Sequence, residues 1–258
     1  MINLKKLMLT GLLIANTSLF ATYENDKDTL GNIALTVGIW KSDLGGTIEN
    51  ENSVTDFEND FGYDDSKNIN TFALDLKNDI SWLPNVNISY FRLNNSSTNI
   101  FTSDKTIAGV NNINGKVSST VEYQEINTIL YGFLYNGPFE FDFGLNFKKI
   151  DYTQYIIENN GGNPVIYGPD SIIVLPYGAI KINLDFIDTV LMAKASILSF
   201  GDNEAKDYEY SINYRVMRNI YLSYGYKYNS FKTTNENNDQ EIYDVNIKGN
   251  YISCKILF

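Results

Sequence analysis

The 258-residue chain has no histidine, a single cysteine and no apolar run long enough to cross a bilayer as a helix. Each absence removes a class of protein. Without histidine, the side chain that ordinarily exchanges protons near neutral pH is missing. A lone Cys254 closes no intramolecular disulfide, and its place in the last apolar stretch suits a small apolar residue better than a reactive thiol. Past the first 21 residues, charged or amide side chains interrupt every apolar stretch well before the roughly 18 residues of a membrane helix. Basic residues are scarce as well: 20 Lys and Arg stand against 31 Asp and Glu, a net charge of −11. That balance argues against a nucleic-acid partner, which calls for a basic stripe.

What is present begins with a leader. Lys5 and Lys6 precede an apolar run from Leu7 to Ala15, and Ser18-Leu19-Phe20-Ala21 supplies small residues for cleavage. The pattern predicts a cleaved signal peptide over 1–21 and a single mature domain over 22–258. Thr22 rather than Cys follows the cleavage point, which speaks against a lipoprotein anchor. Loss of the two leader lysines leaves 18 basic against 31 acidic residues, a net of −13.

The mature chain is built from alternating segments. In Phe139–Lys148, Phe139, Phe141, Phe143, Leu145 and Phe147 share one face of a strand, and Glu140, Asp142, Asn146 and Lys148 share the other. In 208–216, Tyr208, Tyr210, Ile212, Tyr214 and Val216 oppose Glu209, Ser211, Asn213 and Arg215. A strand with one wholly apolar and one charged face needs two solvents. Lipid outside and water or paired charges inside a closed sheet provide them. The chain is therefore predicted to be all-β: a transmembrane antiparallel up-and-down β-barrel of about 10 strands, over 32–41, 69–80, 86–94, 120–135, 138–152, 172–185, 188–200, 204–216, 219–233 and 242–258. Tight connections at Ser81–Asn85, Asn136-Gly137, Phe186-Ile187 and Met217-Arg218 read as periplasmic turns. Those at 42–68, 95–119, 153–171, 201–203 and 234–241 read as extracellular loops, mostly longer.

Finer features follow from the same alternation. Tyr90, Tyr135, Tyr152, Tyr208, Tyr228 and Tyr243 near strand ends are expected to form aromatic girdles at headgroup level. Val245 and Ile247 differ in parity from Ile252, Cys254, Ile256 and Phe258, which predicts a β-bulge near Gly249-Asn250. Segment 120–135 is ambiguous, because Ile129, Tyr131 and Phe133 alternate with the equally apolar Leu130 and Leu134. A soluble secreted β-sandwich shares the alternation. Against it stand the length of the segments, apolar faces with no second layer to cover them, and a last strand ending on Phe258. Ile252, Ile256 and Phe258 have the spacing of an outer-membrane assembly signal.

The chain resembles a family of small, functionally uncharacterised outer-membrane β-barrel proteins of Gram-negative bacteria. Gly38-Ile39-Trp40, Trp82-Leu83-Pro84-Asn85, Leu175-Pro176-Tyr177-Gly178, Ser199-Phe200-Gly201-Asp202, Asp207-Tyr208-Glu209 and Gly225-Tyr226-Lys227 carry the likeness in order. Where that family often has His-Pro before its Leu-Pro-Asn turn, this chain has Asp79-Ile80-Ser81-Trp82. The resemblance implies location and fold and leaves activity open.

Parity places Asp75, Lys77, Glu140, Asp142, Lys148, Lys181, Asp185, Lys194, Glu209, Arg215 and Lys227 on the inward face as a lumen charge network. Both signs are balanced, so the expectation is a salt-bridged plug; a selective pore more often shows a ring of one sign. Outer-membrane phospholipases, lipid A deacylases, palmitoyl transferases and omptin proteases, as families, all use histidine, so none of their mechanisms can be assembled here, and no catalytic residue or cofactor is assigned. Asp56, Glu58 and Asp60 in the acidic first loop are a weak candidate for cation binding, but the spacing fails as an EF-hand because the turn glycine is Gly62 and the twelfth position is Lys67. Two functions stand: a non-enzymatic, monomeric barrel with a structural or surface role, or a narrow porin-like channel for ions or small solutes. Expected partners are outer-membrane lipid, lipopolysaccharide and the barrel assembly machinery, reached by Sec-type export.

Overall fold

Alternating side chains force strands with unlike faces, and the computed structural model has twelve of them among the described residues. They are β1 (Ile33–Asn50), β2 (Ser53–Asp56), β3 (Lys67–Leu76), β4 (Asn85–Ile107), β5 (Val110–Asn136), β6 (Phe139–Glu158), β7 (Val165–Tyr167), β8 (Asp170–Leu184), β9 (Thr189–Phe200), β10 (Asn203–Met217), β11 (Ile220–Asn235) and β12 (Asn238–Leu257). The structure describes residues 33–50, 53–63, 65–78, 80, 82–107, 110–158, 165–168, 170–200, 203–235 and 238–258. The predicted leader over 1–21, and residues 159–164 and 169 of the predicted outer connection over 153–171, lie outside the described residues.

Ten strands close a ring in the order β12-β11-β10-β9-β8-β6-β5-β4-β3-β1, and β1 pairs back onto β12. The seam is unbroken from Ala34↔Leu257 to Glu49↔Ile242. The short strands β2 and β7 flank β1 and β6 beyond the ring. Closure leaves no open edge, the condition for a sheet to sit in lipid.

The registers also fix the tilt. From Asn87 the paired positions lead one way through Asp75 to Ala34 on β1. The other way they lead through Ile129 and Asn146 to Leu175, which faces Leu198 when the β8–β9 register is continued two residues past Tyr177↔Ser196, and then through Ala205, Phe231 and Val245 to Gly46 on the same strand. The offset is twelve residues, or roughly 40 Å of strand against ten spacings of about 4.8 Å, so the strands tilt by about 40°.

Chain connections divide the barrel into two ends. Four short links lie at one rim: 77–84, Gly137-Pro138, Asp185–Asp188 and Arg218-Asn219. Gly137 takes φ 62° ahead of a proline, whose φ is held negative, and that combination suits the two-residue turn between antiparallel strands. Two of these turns sit one residue later than the alternation predicts, because Asn136 still pairs with Phe139 and Met217 with Ile220. The start of β1 and the end of β12 meet at this rim, where the Phe258 amide donates to the Ile33 carbonyl at 2.8 Å.

At the opposite rim the expected loops are largely strand. Residues 95–107 and 110–119 belong to two strands, β4 and β5, that pair from Asn85↔Tyr131 out to Ile107↔Val110. Serine, threonine and asparagine read as loop residues, but here they build exposed ladders: Ser96 bonds Thr120 at 3.0 Å and Thr98 bonds Ser118 at 3.3 Å. The 23 residues of β4 cover about 75 Å, far more than a tilted strand needs to cross a core of about 30 Å.

Parity settles the ambiguous segments. On β5, Val121, Tyr123, Ile129 and Tyr131 are buried and face inward, and Leu134 faces outward. The predicted bulge in β12 is absent, since its register with β1 runs straight through Gly249. Val245 and Ile247 differ in parity from Ile252 because they point into the barrel, where its interior is apolar. Tyr152 and Tyr243 likewise lie in that interior and not in a girdle. Tyr90, Tyr208 and Tyr228 face outward, with the last two rings 5.7 Å apart. Tyr135 lines the interior near the short-turn rim.

A blind lumen as the candidate functional site

The interior has three layers. Nearest the short turns is a cavity of about 520 Å³, bordered by Asp75, Lys77, Glu140, Asp142, Tyr177 and Lys181 among others. Rim residues Asp185, Asp188, Arg215 and Leu257 also line it, so it opens at that end. Lys181 Nζ lies 2.6 Å from Glu140 Oε1 and 2.7 Å from Asp142 Oδ2. The Tyr131 hydroxyl donates to Asp75 at 2.8 Å, and Lys255 approaches the same carboxylate at 3.7 Å. Lys77 stands over the Phe133 ring at 5.9 Å. Asp185 is exposed in the rim turn, and Arg215 pairs with Asp188 of the same turn.

The middle layer is centred on Lys148, which has no exposed side-chain surface. Its ammonium lies 3.0 Å from Glu125 and 2.5 Å from Asp207. Glu125 also accepts from the Tyr123 hydroxyl at 2.5 Å, Asn127 at 2.6 Å and Asn229 at 2.7 Å. Such a set of donors offsets the cost of burying a carboxylate. Lys194 pairs with Glu209 at 2.9 Å, and Tyr251 donates to that carboxylate at 2.8 Å. Lys227 stands 4.7 Å from the Phe91 ring centre and 5.0 Å from that of Trp40. A hollow of about 40 Å³ lies among Asn127, Asn146, Asp207 and Asn229.

Above Lys227 the interior turns aromatic. Trp40 meets Phe91 edge-on at 5.2 Å, Phe91 stacks on Tyr123 at 5.6 Å, and Phe231 joins Tyr123 to Tyr152, each at 5.9 Å. The cluster runs from Trp40 and Ile48, with no exposed surface, to Phe101 at 7%. Phe57, Phe61 and Tyr63, from the turn between β2 and β3, fold inward as its lid. Asn99 donates to the Asn59 and Asp60 carbonyls, and Ser97 to that of Gly62, which fixes the lid to β4. Burial holds the Tyr63 phenol well above its ordinary range, and it donates, neutral, to Ser119 at 2.7 Å.

The lid uses the acidic residues singled out as cation ligands. Asp56 accepts from the Asn59 amide at 2.7 Å, and Asp60 from the Asp56 amide at 2.9 Å, while Glu58 points to solvent. No group of three acidic, cysteine or histidine side chains arranged to hold a metal occurs among the described residues.

All of the eleven charged residues singled out from sequence lie on or beside the lumen, but not in one network. Glu140, Asp142 and Lys181 meet in the cavity, Lys148 sits a layer higher, and Arg215 and Asp185 belong to the rim. Glu125 and Asp207 were missed: Asp207 shares the parity of Glu209, which was read as inward, whereas Glu125 lies on the segment whose parity the sequence leaves ambiguous. Asp188 was not legible, because it faces Arg215 only through a turn with φ 50°. Of the assembly residues, Ile252 and Phe258 are exposed and face outward, as does Ile256.

This architecture has counterparts among solved structures. The outer-membrane protease OmpT from Escherichia coli superposes with a TM-score of 0.55 at 10% identity, covering 92% of this chain and 100% of that one. The fold is that of an outer-membrane β-barrel. The transport unit of the autotransporter AIDA-I from Escherichia coli gives a TM-score of 0.47 at 10% identity, covering 97% of each chain. No family model and no curated protein matches the sequence. At such identities the likeness extends to the fold alone.

Proposed function

We propose that the chain is an integral outer-membrane barrel with a structural or surface-interaction role, monomeric, non-enzymatic and non-conducting at rest. One observation carries the reading: an aromatic layer with almost no solvent-exposed surface spans the lumen between the charged middle and the long hairpins. Water and ions need a continuous polar path, and this layer interrupts it. Below it, Phe139, Phe141, Phe143, Ile212 and Leu222 on the outer surface are exposed, an apolar band that suits lipid. Short turns then face the periplasm, and the β4–β5 hairpin reaches beyond the membrane as the surface a partner would meet. Export by a cleaved leader, assembly by the barrel machinery and contact with lipopolysaccharide belong to the same reading.

The plug itself differs from a purely salt-bridged one. Ion pairs fill the middle of the lumen, but aromatic packing closes it. The test is single-channel conductance of the refolded mature protein in a planar bilayer, with folding verified by heat-modifiable migration. Folded protein that gives no steps supports the proposal. The cavity of about 520 Å³ favours a second reading, a narrow channel whose lid must move. Reproducible steps that shift when Glu140 or Lys148 is neutralised would replace the first reading with the second.

A further inference from the structure

The outer surface changes character along a sharp line. On β1, Ile33, Leu35, Val37 and Ile39 face outward and are 40–56% exposed, and the next outward residue is Lys41. On β12, outward Ile256, Cys254 and Ile252 give way to Asn250 and then Lys248. On β3, outward Leu74 and Phe72 give way to Asn70 and Asn68. On β4, Ile88 and Tyr90 give way to Arg92. From Ile33 to Lys41 the tilted strand rises about 20 Å, comparable to the apolar band of a transmembrane barrel. These polar side chains therefore begin where the hydrocarbon ends, on the side of the long hairpins.

They also form one patch. Lys41 pairs in register with Asn250 on one side and Asn68 on the other, and Lys248 is diagonal to Lys41 across the seam. Diagonal neighbours of this kind lie about 7–8 Å apart, so two flexible ammonium groups can converge on one anion. Arg92 is held by Glu122 at 3.0 Å. Asp43 faces outward opposite Lys248, but no described carboxylate lies within ion-pair distance of either lysine. Two uncommitted cations on a chain of net charge −11, flanked by amide donors at the headgroup level, are complementary to an anionic headgroup. On β10 and β11 the same level carries Tyr208 and Tyr228, and outward Lys149 on β6 stands apart, so the two neighbouring cations lie on one side of the barrel.

We propose that Lys41 and Lys248, with Asn68 and Asn250, form a lipid-facing clamp for a phosphate group of an outer-leaflet glycolipid. The inference rests on the outer-membrane reading above. Lysine suits this task as a mobile point charge that reaches along the surface to the headgroup.

The test uses the full mature chain, refolded in detergent and checked by heat-modifiable migration, so that a barrel that fails to form is recognised separately. Bisphosphorylated lipid A and the same lipid after enzymatic dephosphorylation are titrated, and bound lipid is counted by native mass spectrometry. Wild-type protein is expected to retain the phosphorylated form preferentially. The exposed substitutions Lys41→Gln and Lys248→Gln are each expected to weaken it about fivefold, whereas Lys149→Gln on the outward face of β6 leaves it unchanged. Equal retention of the two lipids would overturn the phosphate chemistry. Undiminished binding by the Lys41→Gln, Lys248→Gln double variant would overturn the site. Inorganic phosphate that competes at low concentration would make the site one for free anions and overturn the lipid assignment.

Discussion

The ammonium of Lys227 stands 4.7 Å from the centre of the Phe91 ring, at the level where the lumen changes from charged to aromatic. It shares that level with Trp40, whose indole N–H donates to the Gly249 carbonyl at 3.1 Å. A buried lysine facing two π-clouds is attracted by both ring faces, which partly offsets its desolvation. The boundary between the layers is thus an interaction in itself, and Trp40 ties it to the seam where the barrel closes.

Trp40 offers a direct reading of the plug. The chain has two tryptophans, and Trp82 lies 69% exposed in a short turn while Trp40 has no exposed surface. In a Trp82→Phe variant, emission should be blue-shifted and nearly resistant to acrylamide. In wild-type protein a second, readily quenched component should appear. Efficient quenching of Trp40 in folded protein would mean that water reaches the aromatic layer, contrary to the closed-lumen reading.

Lys148→Met should be among the most damaging single changes. It leaves Glu125 and Asp207 facing each other in a buried site without their cation, a loss of about 3–5 kcal/mol. Arg215→Gln removes a rim pair with Asp188 that is open to water, worth about 1 kcal/mol or less. The urea midpoint of the heat-modifiable transition in micelles measures both. Equal shifts would mean that the middle layer is not dry.

Gly249→Ala should weaken the seam between β1 and β12. Gly249 has φ 155°, and a Cβ there would come within 1.9 Å of the Lys41 carbonyl oxygen. The dihedral alone costs about 1–3 kcal/mol for a residue with a side chain, and the strands must also part, which breaks the Trp40 bond. Gly137→Ala shares the positive φ but meets nothing within 4 Å, so it should cost less. A comparison of the two by thermal unfolding isolates the clash from the strain.

Deletion of Phe258 is expected to impair insertion, because Phe258 is 67% exposed at the end of the outward series with Ile252 and Ile256. The measurement is the fraction of heat-modifiable barrel recovered with outer membranes. Unchanged recovery would remove Phe258 from the assembly signal. Wild-type stability with reduced recovery would separate assembly from folding energy.

Alternation along the chain was enough to define a closed sheet with lipid outside, because period-two side chains expose every strand's two environments locally. Phe139–Lys148 and 208–216 show this: each outward or inward side chain was legible from its neighbours alone. The inward positions of Glu140, Lys148 and Glu209 followed for the same reason. Which charges meet was not legible. Lys148 takes Glu125 diagonally from the neighbouring strand, whose parity was ambiguous, and takes Asp207 from across the lumen, a pairing set by the twelve-residue stagger that accumulates around the ring. Arg215 takes a turn residue. The aromatic plug was hidden for a related reason. Val245 and Ile247 look like a parity error in a strand whose interior is assumed polar throughout, and Tyr152 and Tyr243 look like interfacial rings. Only when the sheet closes do Trp40, Phe91, Tyr123 and Phe231 arrive from four strands at one height. Local patterning determined the barrel, and the long-range register decided that its lumen is blind.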